Sequence, residues 1–126
     1  MSDIRTLLRL DALASGGMGV VLLALAGVLD DALGLAVILS VVVGIGLLAW
    51  AGFLAWVSVE HRPGLVGEVI VLNVVWVVAS IVFATFGWGG LTGWGVLFVL
   101  VQAVAVAGLT VLEGTARRAL PAPVAA

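Results

Sequence analysis

The chain has no cysteine. Disulfides, thiolate chemistry and iron–sulfur ligation are therefore excluded, and cysteine usage says nothing of the redox compartment. Charge is the next shortage. Five basic and seven acidic residues make up 10% of the 126 residues, where a soluble domain carries about 25%. So little charge cannot clothe a core in a polar surface. A net charge of −2 supplies no basic field, which excludes nucleic acid as a partner. His61 is the single histidine, and with no cysteine or second histidine beside it no metal site is expected. Catalytic signatures are missing too: no Gly-x-Ser-x-Gly, no His-Glu-x-x-His, no phosphate loop and no dinucleotide fingerprint. Gly87-Trp-Gly-Gly90 has no strand before it and reads as a turn. No catalytic residue is assigned, and of the function classes enzyme has the least support.

What the chain has is long apolar runs. Leu33 to Val59 contains no charged residue. As a helix rising ~1.5 Å per residue it is long enough to cross ~30 Å of hydrocarbon. Its two hydroxyls, Ser40 and Ser58, are expected to bond back to their own helix. Glu60-His-Arg-Pro-Gly64 stops it. Three similar runs leave almost nothing for a water-facing shell. The expectation is a single all-α membrane domain, a four-transmembrane-helix bundle with spans at approximately 7–29, 35–59, 66–86 and 93–112 and a frayed tail over 114–126.

The turn from Asp30 to Gly34 is so short that spans one and two must be antiparallel neighbours, and spans three and four pair likewise across Gly87–Trp94. The fold is thus read as two antiparallel hairpins. Asp31 is placed to cap the second span. Asp31-Ala-Leu-Gly34 and Thr92-Gly-Trp-Gly95 occupy matching places in the two hairpins. Arg5, Arg9, Arg62, Arg117 and Arg118 all fall on one side of the spans, and the two opposite turns hold no basic residue. The positive-inside rule then places both termini in the cytoplasm, in a bacterial plasma membrane. Ala24-Leu-Ala26 imitates a signal-peptidase site, but Asp11 interrupts the apolar run before it, and the segment reads as a retained span.

Small residues mark packing faces. In span one Ala12 and Gly16, and Ser15 and Gly19, are spaced four apart, with Gly17 widening the strip. In span two Ser40, Gly44 and Leu48 share a face, enlarged by Gly46, Ala49 and Gly52. Trp56, Trp88 and Trp94 suit the headgroup level, whereas Trp50 lies deeper, against lipid or another helix.

Polar groups within spans are the best functional pointers. Asp11 lies about a turn inside the first span, where it pairs with Arg5 or Arg9 or serves as a proton or cation site. Asn73 shares a face with Trp76 and Ser80, a face expected to look inward as an interhelical anchor. Gln102 is the deepest strongly polar group, with Ser40, Ser80 or a backbone carbonyl as candidate partners. Gln102, Val106, Leu109 and Glu113 define one face. Asp11, Asn73, Thr110 and Glu113 fall in one half of the bundle and are candidates to surround a shallow polar cavity. Trp50, Trp76, Gly16 and Gly44 are candidate contacts for packing or for a hydrophobic ligand. His61 is a weak candidate axial ligand for a haem or chlorophyll-type pigment.

Carried by Arg5-x-x-x-Arg-Leu-Asp11, Glu60-His-Arg-Pro-Gly64, Asn73-x-x-Trp76 and the Leu91-Thr92 turn into Gln102, the whole chain resembles small, uncharacterised four-helix integral membrane proteins of high-GC bacteria. The resemblance implies topology and transfers no mechanism. In size the chain is also similar to small four-helix multidrug transporters, but it lacks their carboxylate well inside the first helix. The leading expectation is helix–helix association, as a homo-oligomer or an accessory subunit of a membrane complex, with membrane lipids, itself and other membrane subunits as partners. A small proton-coupled transporter or channel using Asp11, Asn73 and Gln102 is the first alternative. Binding of lipid or pigment is the second; bound lipid is expected and no cofactor is assigned.

Overall fold

The computed structural model describes residues 4–60, 63–86 and 91–119. These residues form helix α1 (Ile4–Ala24), α2 (Ala26–Leu33), α3 (Val37–Glu60), α4 (Pro63–Phe86) and α5 (Gly93–Arg118). Four of them, all except α2, are long and apolar enough to cross a membrane. The chain is all-helical and has the make-up of a multi-pass membrane protein.

The spans depart from expectation at their ends. The first starts at Ile4 and is divided at Leu25, although the Leu25 and Leu29 amides still bond four residues back, at 2.9 and 2.8 Å. Asp30 and Asp31 belong to the end of α2, so Asp31 does not cap α3. The reason is Gly34. It takes the left-handed conformation that favours glycine (φ 73°), its amide bonds Asp30 O at 3.0 Å, and that of Leu35 bonds Leu29 O at 3.4 Å. This closure ends the helix after the aspartates rather than before them. At the other end of the chain α5 runs on to Arg118, past the expected start of fraying at 114. Its last turn carries Arg117 and Arg118, which suit a helix C-terminus electrostatically. Arg117 lies across Gly67 of α4, where an added Cβ would meet its guanidinium at 3.2 Å.

Helix α1 packs chiefly on α3, and α4 on α5. The α1–α3 crossing is tight because two glycines meet. A Cβ added to Gly19 would sit 2.9 Å from Gly44 O, and one on Gly44 3.0 Å from Gly19 O. A Cβ added to Gly16 would meet the Ala51 Cβ at ordinary contact distance, 3.4 Å. Such backbone-to-backbone approach gives dispersion contacts, the main source of association where lipid removes the hydrophobic drive. Gly17, Gly46 and Gly52 contribute nothing to it: a Cβ on any of them would have no neighbour within 4 Å.

The core lies in two clusters at opposite ends. One gathers Ile4 and Leu8, Leu54 and Val57, and Val66 and Val69, with Trp50 and Phe53 packed on it. The other gathers Leu22, Leu29 and Leu35, with Phe83, Leu91 and Phe98. Beyond the second cluster the α2–α3 turn locks onto the start of α5. Thr92 accepts from the Gly95 amide at 3.0 Å as the α5 N-cap. Its own amide donates to Leu33 O and its hydroxyl to Ala32 O, each at 3.0 Å. Gly95 is required there, because any Cβ would collide with Leu33 O. The two similar turn sequences therefore touch but do different work: Thr92 caps a helix, while Asp31 finishes one.

Outside, the bundle is oily. Val104, Leu13 and Ile38 are each at least 70% exposed. A water-soluble fold does not present such a surface, whereas a bilayer solvates it. Trp56 and Trp94 are also outward. Trp50 is half-buried instead, in a tilted ring pair with Phe53 at 5.4 Å between centroids.

Gly19→Ala or Gly44→Ala should lower unfolding free energy in detergent by about 1–3 kcal/mol, the cost of over-packing. Gly17→Ala should be neutral or stabilising by up to about 1 kcal/mol, because it adds helix propensity in open space. Equal effects at the three positions would contradict the crossing geometry.

Candidate functional site

Asp11 of α1, Asn73 of α4 and Glu113 of α5 come together in the interior. They are 2%, 4% and 0% exposed. The Asn73 side-chain amide donates to Asp11 Oδ2 at 3.0 Å and to Glu113 Oε1 at 3.1 Å. Both amide protons are thereby used, one on each acid. Ser15, one turn along from Asp11, adds a long bond from its hydroxyl to Asp11 Oδ1 at 3.4 Å. Glu113 Oε2 is buried and has no hydrogen-bond partner among the described residues.

This arrangement corrects one expectation. Asp11 does not reach back to Arg5 or Arg9, both of which face outward. It turns inward, because an amide that satisfies a buried carboxylate is worth more than a water-screened ion pair. Asn73 is the inward anchor its spacing implied. Thr110, expected beside these residues, bonds Val106 O of its own helix at 2.7 Å. His61 and Trp88 lie outside the described residues.

Gln102 forms a second polar node. Its Oε1 accepts from the Trp76 indole N–H at 2.8 Å, and its Nε2 donates to Ser80 Oγ and to Val99 O, each at 2.9 Å. Of its candidate partners, Ser80 and a carbonyl take it and Ser40 does not. Ser58 bonds back to Ala55 O at 2.6 Å as expected, but the buried Ser40 hydroxyl has no partner among the described residues.

Between the two core clusters the bundle is hollow. One half-open cavity of about 490 Å3 is lined by Asp11, Ser15, Trp50, Asn73, Trp76, Gln102 and apolar side chains. A second, of about 200 Å3, is lined by Ser40, Ser80, Trp76, Gln102, Phe83 and Phe98 among others. Met18, Val43, Leu47, Trp76 and Gln102 border both. The larger falls within the range of about 300–1,000 Å3 usual for small-molecule sites. Its chemistry is one carboxylate, two side-chain amides, a hydroxyl, two indoles and an apolar wall. The arrangement can hold a proton or a positive group at its acidic end and an apolar body along its length. Among the described residues no group of three His, Cys, Asp or Glu side chains gathers to hold a metal ion.

One partner in the site has a signal in the sequence and one contact has none. Ser15 is four residues from Asp11, the ordinary helical spacing for a side-chain bond. The Trp76–Gln102 bond joins two helices, and nothing in the spacing of either residue gives it away.

Asn73→Leu should destabilise the protein in detergent by about 1–3 kcal/mol, since two buried acids lose their donor. Gln102→Leu should cost less, about 0.6–2 kcal/mol, as for polar contacts within membranes generally. Ser40→Ala should change little, within about 0.5 kcal/mol, because no bond is lost. Chemical unfolding of the three variants checks this order. No protein-family model, curated protein or solved structure matches this chain.

Proposed function

We propose that the protein is a small proton-coupled carrier or channel of a bacterial plasma membrane, built of two antiparallel hairpins with both termini cytoplasmic. Its working part is the Asp11–Asn73–Glu113 cluster. The observation that carries this reading is a single buried amide shared by two buried carboxylates from different helices. A bundle made only to associate gains nothing from a second acid. Intramembrane acids are costly, and two ionised carboxylates on one donor repel each other in a medium of low dielectric. With one proton or one cation held between them the repulsion is relieved, as in other carboxylate pairs. Losing that charge to one side and regaining it from the other is the elementary act of coupling. Among the described residues the titratable and charged groups around the cluster are few. Asp11 and Glu113 face each other, Glu68 of α4 is exposed, and Arg117 lies toward Gly67.

The topology is supported by the arginine distribution and by the two core clusters, which each join helix starts to helix ends. Association as a homo-oligomer or accessory subunit is the second reading. It is favoured by Gly17, Gly46, Gly52 and Gly108, whose space within the chain is empty and open to another helix.

Proteoliposomes containing internal pyranine should report proton movement when small solutes are added outside. Wild-type protein should give a solute-dependent signal, and Asp11→Asn and Glu113→Gln should reduce it to that of protein-free liposomes. Wild-type silence towards every solute would leave the association reading. The absence of native cysteine makes a topology test simple. Cysteines placed at Asp31 and at Ala119 should be labelled by a membrane-impermeant maleimide from opposite sides, Asp31 from outside intact cells.

A further inference from the structure

We propose that the larger cavity binds a lipophilic organic cation, with Asp11 as counter-ion and Trp50 and Trp76 as aromatic walls. The inference rests on the proton-coupled reading and names the class of solute that would exchange with the proton. Three observations carry it.

The first is charge complementarity. Asp11 borders a cavity whose other lining is mostly apolar. The Ser15 hydroxyl and the Asn73 amide donate to its carboxylate, and α5 brings a second acid, Glu113, onto that amide and against Asp11 itself. A positive guest supplies the charge that two acids and one neutral amide leave wanting. An anion or a neutral solute does not.

The second is the placement of the indoles. Trp50 and Trp76 come from α3 and α4 and border the same cavity as Asp11. Each is held: Trp50 by its ring contact with Phe53, Trp76 by its N–H bond to Gln102 Oε1 at 2.8 Å. A fixed indole face attracts a cation through its quadrupole, most strongly where water is excluded. With its N–H already engaged, the rest of the Trp76 ring is carbon and brings no free donor to the cavity.

The third is size. A volume of about 490 Å3 exceeds what an inorganic ion needs, and among the described residues Asp11 is the one carboxylate that lines it.

The test uses full-length protein in detergent micelles and two probes of almost the same shape and opposite charge, tetraphenylphosphonium and tetraphenylborate, in equilibrium dialysis. Tetraphenylphosphonium should bind saturably, one per chain, and tetraphenylborate should not. Asp11→Asn should abolish saturable binding. Trp50→Leu, which leaves the Asp11–Asn73–Glu113 bonds intact, should weaken it by about 3- to 30-fold, the span of a desolvated cation–π contact. Equal binding of the two probes would overturn the proposal and reduce the cavity to an apolar groove for acyl chains. So would unchanged affinity in Asp11→Asn, or no binding to wild type. Proton release on binding separates the two readings. Saturable, Asp11-dependent binding without proton release sustains the cation site and removes the coupling. Solute-dependent proton flux in liposomes without tetraphenylphosphonium binding removes the cation site and leaves the coupling.

Discussion

One amide holding two acids is the constraint on which the interior depends. Among the described residues Asn73 is the one side chain that donates to both Asp11 and Glu113, and these three residues belong to three different helices. Without that donor, two carboxylates would lie in a medium of low dielectric with too little to satisfy them. The bond pattern therefore fixes the rotation of α1, α4 and α5 about their own axes more strictly than apolar packing could. Valine and leucine can turn past one another at small cost. A buried acid cannot turn away from its donor.

The far end is held differently. There the α2–α3 turn and the start of α5 meet through backbone groups, with Thr92 joined to Ala32 and Leu33, and Gly95 allowing the approach. Pinned at both ends and packed tightly along the Gly19–Gly44 crossing, the bundle has less to hold it together in the middle, where α3 and α4 scarcely touch. The cavities occupy that gap. They follow from where the tight contacts are, at the two end clusters and along the α1–α3 and α4–α5 pairs. The Trp76–Gln102–Ser80 chain lies where the two cavities adjoin, and its members satisfy one another's polar groups.

Much of this was legible from spacing. Asn73, Trp76 and Ser80 at i, i+3 and i+7 had to share a face, and Gln102, Val106, Leu109 and Glu113 likewise. A face bearing an amide or an acid had to point inward. The glycine strip over Gly16 and Gly19 and the matching Gly44 were read as close-packing positions, and the crossing lies there. Other small residues of the same kind, Gly17, Gly46 and Gly52, touch nothing in the chain, because a glycine in a helix reports only that approach is allowed. Asp31 was misplaced for a related reason: an aspartate suits a helix start, but a left-handed glycine three residues later overrules that preference by ending the preceding helix.

Sequence by itself determined which segments are long and apolar enough to cross a membrane, roughly where they end, and which face of each carries its polar groups. Those properties are local: they depend on composition and on a helical period of about 3.6 residues. Tertiary structure alone decided which polar groups meet. Asp11 had arginines within a turn or two on its own helix, yet its donor is 62 positions away, and Glu113 reaches the same amide across 40. Pairing across such separations depends on the relative rotation and crossing of whole helices, which is settled by packing summed over the entire bundle and is written in no single stretch of chain.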